Sequence, residues 1–137
     1  MNPDTEWGRI RAELDIANLV YTCARATDQR DEAAFAQCYT EDGEFHRSGK
    51  VFRGSTEIAH SLRERKASLQ RRHVFTNVQV QLQGTDQAQG QSYCLVYDKD
   101  EAAEAGLPPI VADIQDEYLR VNGQWKIQRR VVRRSFI

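Results

Sequence analysis

The chain has 137 residues, 40% hydrophobic and 28% charged, with 19 Lys plus Arg against 20 Asp plus Glu and a net charge of −1. That length predicts one domain over residues 1–137 that buries its core without disulfides or metal, and the balanced charge excludes a general pull toward nucleic acid or an anionic membrane. No apolar run approaches the roughly 18 residues of a membrane span, residues 1–7 carry no basic-then-apolar leader pattern, and Cys23, Cys38 and Cys94 lack C-x-x-C spacing, so the expectation is a cytoplasmic, reduced protein whose thiols pack rather than react.

Residues 6–30 read as one long helix. Trp7, Ile10, Leu14, Ala17, Tyr21 and Ala24 recur at alternating steps of three and four, which puts them on one stripe expected to face the core. Ile16, Leu19, Val20 and Cys23 widen it, and Asp28 is its next position, a carboxylate continuing an apolar seam. Asp31 is a good N-cap for a short second helix with Ala34, Phe35 and Cys38 on its apolar side. Glu41-Asp42-Gly43 reads as a turn, and residues 44–47 and 50–53 as a short hairpin around Ser48-Gly49. Gly54-Ser55 opens a third helix with Ile58, Leu62 and Leu69 inward.

The period then changes from helical to alternating. Val74, Thr76, Val78, Val80 and Leu82 alternate with His73, Phe75, Asn77, Gln79 and Gln81. After Gly84-Thr85-Asp86, residues 88–97 form a second strand with a small face (Ala88, Gly90, Ser92, Cys94) and a large one (Tyr93, Leu95, Tyr97). A charged loop ends at Pro108-Pro109. Residues 110–121 and 124–137 are the last two strands, joined at Asn122-Gly123, the strongest hairpin signal in the chain. Helices first and strands after them imply an α+β domain, in which a long helix covers a curved sheet and a pocket lies between them.

Four stretches carry a resemblance to a known superfamily: the helix end Tyr21 to Asp28 with Phe35 and Tyr39-Thr40-Glu41-Asp42-Gly43; Phe52-Arg53-Gly54; Arg72-His73-Val74-Phe75-Thr76-Asn77; and Asp116-Glu117-Tyr118-Leu119-Arg120 with Gly123-Gln124-Trp125-Lys126-Ile127 and Arg130. The chain resembles the SnoaL-like proteins of the nuclear-transport-factor-2-like, cystatin-like group. Within it, the likeness is to the branch of scytalone dehydratase, hexachlorocyclohexane dehydrochlorinase and bile acid 7α-dehydratase. The resemblance implies a cone-shaped fold, with three N-terminal helices packed on a curved, mainly antiparallel sheet that encloses a pocket. It implies a catalytic pair in which His73 removes a proton and Asp28 orients it, with Arg130 as a basic pocket residue. Cys23 departs from the pattern, standing where relatives carry a Lys or Tyr that assists the leaving group. Tyr21, Tyr93, Tyr97 and Tyr118 are the candidates to replace it.

The residues themselves leave alternatives open. Asp28 either stops the helix or sits in the pocket; a buried carboxylate needs a partner, which points to a His or Arg. His73 is out of phase with Val74, Thr76 and Val78, so either both sheet faces are buried near the strand start or a bulge shifts the phase. Arg129, Arg130, Arg133 and Arg134 form either a charged sheet edge or one inward anion binder; alternation groups Arg130 with Arg134. His46, His60 and His73 are scattered, which argues against a metal site. No nucleophile elbow, phosphate loop or dinucleotide fingerprint is present.

Imidazole, with an ordinary pKa of about 6.5, is a competent base at neutral pH, and a carboxylate beside it fixes its tautomer. The first expectation is therefore a cofactor-independent lyase, a dehydratase or dehydrohalogenase acting on a small, largely apolar, aromatic or alicyclic substrate. His73 and Asp28 are its catalytic pair, and Arg130, Cys23, Tyr21, Tyr93 and Tyr118 bind the substrate. The alternatives are an isomerase, polyketide cyclase or epoxide hydrolase on the same fold, or a non-catalytic binding or assembly module such as a dioxygenase small subunit. No nucleic-acid or membrane partner is expected. The apolar set Val74, Thr76, Val78, Val80 and Leu82, with Val131 or Val132, predicts a homo-oligomer, trimer or dimer, joined sheet to sheet.

Overall fold

The computed structural model describes residues 2, 4–103, 106 and 108–136. Helix α1 (Glu6–Asp28) is followed by α2 (Glu32–Gln37), strands β1 (Tyr39–Arg47) and β2 (Lys50–Arg53), and α3 (Ser55–His60), which runs into a 3-10 turn at Ser61–Glu64. Four long strands complete the chain: β3 (Leu69–Leu82), β4 (Gln87–Asp100), β5 (Ile110–Val121) and β6 (Gln124–Arg134). They form one six-stranded sheet in the order β2-β1-β6-β5-β4-β3. β1 and β6 are parallel and every other pair is antiparallel. This is a mixed α+β fold with helices on an open, curved sheet.

Local chemistry explains most boundaries. Thr5 caps α1 by accepting from the Gly8 N–H, and Asp31 caps α2 by accepting from the Ala34 N–H. The β1–β2 and β5–β6 hairpins turn on Ser48-Gly49 and Asn122-Gly123, all four residues with positive φ as a type I′ turn demands. Three boundaries differ from expectation. The Glu41-Asp42-Gly43 segment lies inside β1, where pairing with β6 is irregular rather than turned. The third helix stops at His60, and Leu69 begins β3 instead of continuing it. β4 extends to Asp100 because its charged end pairs with Leu69–Arg71 on the edge strand. The predicted last strand ends at Arg134; Ile137 lies outside the described residues.

The core-facing side of α1 is a correction. Trp7, Ile10, Leu14 and Tyr21 are exposed, Trp7 by 72%, while Gly8, Ala12, Ile16, Val20, Cys23 and Ala26 are buried. The helix carries two apolar stripes. The one with small residues lets it approach the sheet closely, and the one with large rings is left outside. Of the expected stripe, Ala24 is buried, so Asp28, one turn further on, continues a covered seam only at this end of the helix, where β3 packs against it.

Two bulges set the inward residues of the sheet. Thr76 pairs with Tyr93 and Gln79 with Gln91, so Asn77 and Val78 oppose Ser92 alone. Asn77 has φ +54°, a conformation Asn tolerates better than most side chains. The extra residue flips the alternation. His73 and Phe75 face the helices on one side of the bulge, and Val78, Val80 and Leu82 pack on the core on the other. The expected outer set of Val78, Val80 and Leu82 is thereby corrected, because one inserted residue moves them to the inner face. On β6, Glu117 pairs with Arg129 and Tyr118 with Ile127, leaving Gln128 as the extra residue. Ile127 and Arg130 are consequently both buried while Arg129 is not.

The core joins Ile16, Val20, Phe35, Ile58, Tyr118 and Ile127, among others. Gly90 is forced by this packing. A Cβ there would lie 2.9 Å from Tyr118 Cε2 and 3.1 Å from the Gln79 carbonyl oxygen. Gly90→Ala is expected to destabilise the protein by about 1–3 kcal/mol, measured as a lowered midpoint in urea; an unchanged midpoint would show that the Tyr118 ring moves freely.

Candidate active site

The site forms where the end of α1 crosses the start of the edge strand β3. Asp28 is the last residue of α1 and His73 lies just before the β3 bulge. Asp28 Oδ1 is 2.6 Å from His73 Nδ1, and the same carboxylate accepts the His73 backbone N–H at 3.1 and 3.2 Å. Asp28 thus holds both the ring and the strand. The two side chains are 11% and 18% exposed. Thr27 Oγ1 lies 3.1 Å from Nδ1 and donates its own proton to the Ala24 carbonyl at 2.8 Å. Nδ1 therefore faces two acceptors and carries the ring proton, which leaves the lone pair on Nε2. No group among the described residues bonds Nε2.

His73 lines a cavity of about 310 Å³ between the helices and the sheet. Phe35, Phe45, Phe75, Val96, Ile114 and Val132 supply apolar walls, and Cys23 and Arg130 also border it. A second chamber of about 400 Å³ adjoins it, sharing Thr27, Phe35, Phe45, Arg47, Arg71 and His73. His73 stands at the junction of the two.

Arg130 sits at the cavity wall in a buried network. Its Nε and Nη2 donate to Asp116 Oδ1 and Oδ2 at 2.7 and 2.8 Å. The Tyr118 hydroxyl donates to Asp116 Oδ2 at 2.7 Å. Arg130 Nη1 reaches Cys23 Sγ at 3.5 Å, and the guanidinium lies 5.2 Å from the Phe75 ring centre. Burial works against the charge of Arg130, but Asp116 outweighs it and its pKa is raised. Arg130 thus stays a cation and offers hydrogen bonds, not a transferable proton. The Cys23 thiol is pushed up by its hydrogen bond with Cys38 and by burial, and burial pushes Cys94 up to about 12. Both are protonated at neutral pH and poorly nucleophilic.

The structure brings Asp28, His73, Cys23 and Arg130 to one place. It does not bring the tyrosines there. Tyr93 and Tyr97 are on the outer sheet face, 49% and 48% exposed, because inward positions of β4 belong to Ala88, Ser92 and Cys94. Tyr21 is on the exposed stripe of α1 and borders a separate surface groove behind the Asp28–His73 pair. Tyr118 is buried on the inner face, but its hydroxyl is taken by Asp116, and burial and that carboxylate push its pKa up. Sequence reasoning missed Thr27, Arg71 and Asp116. The signal for Asp116 was its phase: it shares the inward set of β5 with Ala112, Ile114 and Tyr118, and a carboxylate there requires a cation. Among the described residues, no three His, Cys, Asp or Glu side chains converge as a metal-holding group, and no helix is long and apolar enough to cross a membrane.

Solved structures share this architecture. A Mycobacterium tuberculosis protein of unknown function is 28% identical, with a TM-score of 0.84 over 98% of this chain and 76% of that one. A hexachlorocyclohexane dehydrochlorinase is 18% identical, with a TM-score of 0.86 over 96% and 90%. A scytalone dehydratase-like protein from Novosphingobium aromaticivorans is 19% identical, with a TM-score of 0.81 over 97% and 88%. These last two likenesses establish the shared fold. No curated protein matches the sequence. The profile of the SnoaL-like domain matches residues 8–131, nearly the whole chain, and on that match the protein belongs to the SnoaL-like family.

Proposed function

We propose that the protein is a cofactor-independent lyase that removes water or halide from a small, largely apolar ring compound. The observation that carries this reading is the Asp28–His73 contact of 2.6 Å beside an apolar cavity. His73 Nε2 takes a proton from a carbon next to the leaving group, and Asp28 stabilises the imidazolium that forms. The electron pair of the broken C–H bond becomes the new C=C bond as the leaving group departs. Arg130 supports the departing oxygen or halide with a hydrogen bond while keeping its own proton. No tyrosine lines the cavity among the described residues, so the imidazolium itself returns the proton to a departing hydroxyl, giving water. The same single-base arrangement favours isomerisation as the second reading, since one base lifting and returning one proton needs no separate acid.

The test is a panel of β-hydroxy cyclic ketones and chlorinated cyclohexanes, scored for conjugated product or chloride. With a turned-over compound, Asp28→Asn is expected to lower kcat by roughly 10²–10⁴ while the thermal midpoint changes little, because the amide oxygen still accepts the His73 backbone N–H. Wild-type kcat in that variant would remove the pair from the mechanism.

A further inference from the structure

The chamber beside the cavity carries a charge pattern that the proton chemistry does not use. Arg47, Arg65, Lys66 and Arg71 line it, against the single carboxylate of Glu64. Arg71 is held by Asp98 through contacts of 2.6 and 2.7 Å, and Lys66 by Asp100 at 2.7 Å. Arg47 lies 3.6 Å from Glu64, which Lys50 also engages at 3.1 Å. Among the described residues, Arg65 has no carboxylate partner. Its Nη2 donates to the Thr27 carbonyl at 2.7 Å, and its Nε is buried without an acceptor. Burial, then the neighbouring Arg30 and Arg71, lower its pKa, and Asp28 and Asp98 offset only part of that effect. Arg30 gives no relief, since its own donors go to the carbonyls of Arg65, Lys66 and Leu69. A half-buried guanidinium in a repulsive field, short of one acceptor, thus sits one residue from the pair: Thr27, whose carbonyl it holds, places Oγ1 3.1 Å from His73 Nδ1.

We infer that this chamber seats an anionic group of the substrate, a carboxylate or a phosphate, on Arg65 with Arg47 beside it, while the apolar body occupies the cavity against Phe35, Phe45 and Phe75. The inference rests on reading the cavity as the substrate site. An anionic oxygen in the chamber meets the part of the Arg65 guanidinium that faces it and offsets its repulsion by Arg30 and Arg71, and charge-assisted bonds of this kind are the strong ones. The anchor also has a geometric effect. His73 lines both chambers, so a molecule held at one end by its charge and at the other by its ring presents the carbon between them to Nε2. The substrate class is therefore narrowed to an apolar ring compound that also carries an anionic group.

Three probes of one shape test this: 2-naphthoate, 2-naphthyl phosphate and the neutral 2-naphthamide, titrated calorimetrically into the full chain at low salt. At least one anion is expected to bind roughly tenfold or more tightly than the amide, with the advantage shrinking as salt rises; which anion wins tells carboxylate from phosphate. Arg65→Gln should abolish the advantage and Arg65→Lys should keep part of it, which separates lost charge from lost folding. His73→Ala should keep the ratio, so failure of the lyase reading, seen in turnover, stays distinct from failure of the anion seat. Equal binding of all three probes, or no binding at millimolar concentration, overturns the inference. So does an advantage that survives Arg65→Gln but vanishes with Arg134→Gln, the arginine that borders the cavity from the end of β6.

Discussion

His73→Ala is expected to lower kcat by roughly 10³-fold and to leave the sheet intact. The ring carries little of the packing. It stacks on Phe75 with centres 6.5 Å apart and is otherwise held by Asp28 and Thr27. The backbone N–H of residue 73 keeps its bonds to Asp28 whatever the side chain, so the docking of α1 on β3 survives. What is lost is, among the described residues, the only group at the junction of the two chambers with a free lone pair and a fixed tautomer. His73→Gln, closer in volume and still able to hydrogen-bond, should be as inactive, because an amide is no base. Steady-state kinetics and circular dichroism on both variants decide the matter, and substantial turnover in either one sinks His73 as the base.

Asp116→Ala has the largest expected effect on stability, a loss of about 3–5 kcal/mol. Asp116 and Arg130 are 3% and 4% exposed and share two hydrogen bonds, and Tyr118 donates a third to the same carboxylate. Among the described residues, removing the carboxylate leaves a buried guanidinium with only Cys23 for a polar side-chain partner and a buried phenol with none. The desolvation already incurred is then uncompensated. The double variant Asp116→Ala with Arg130→Met is expected to be more stable than Asp116→Ala alone, because removing both charges removes the penalty that removing one creates. Urea unfolding of the three proteins measures this. A single variant within about 1 kcal/mol of wild type would mean that water reaches Arg130 and screens it.

Much of the fold is legible in residue pattern because the relevant physics is local. The switch from a helical to an alternating period, read from His73 onward although the strand already begins at Leu69, follows from which side chains can share a face. Asn122-Gly123 and Ser48-Gly49 mark their hairpins because few residues accept two consecutive positive φ values, and Asp31 marks a helix start because its carboxylate satisfies a free N–H. The residues of the candidate site, Asp28, His73, Cys23 and Arg130, stand in the sequence as a family-like set, and the fold brings them together.

What only the tertiary structure decided is which way side chains face. The long helix has two apolar stripes, and nothing local tells that Trp7, Ile10, Leu14 and Tyr21 lie outside while Ala12, Ile16 and Val20 lie inside; close approach to the sheet selects the smaller set. A period-two pattern does not reveal an inserted residue. The bulges at Asn77-Val78 and Gln128 exist only in register with their partner strands. Yet they let His73 and Phe75 share a face with Val78 and Val80, and they place Arg130 rather than Arg129 against Asp116. The tyrosines fall the same way, Tyr93 and Tyr97 outward and Tyr118 inward onto Asp116. Sequence by itself determined the elements and the chemical groups available; pairing between strands distant in the chain decided which of those groups meet, because a one-residue shift in register reverses every side chain beyond it.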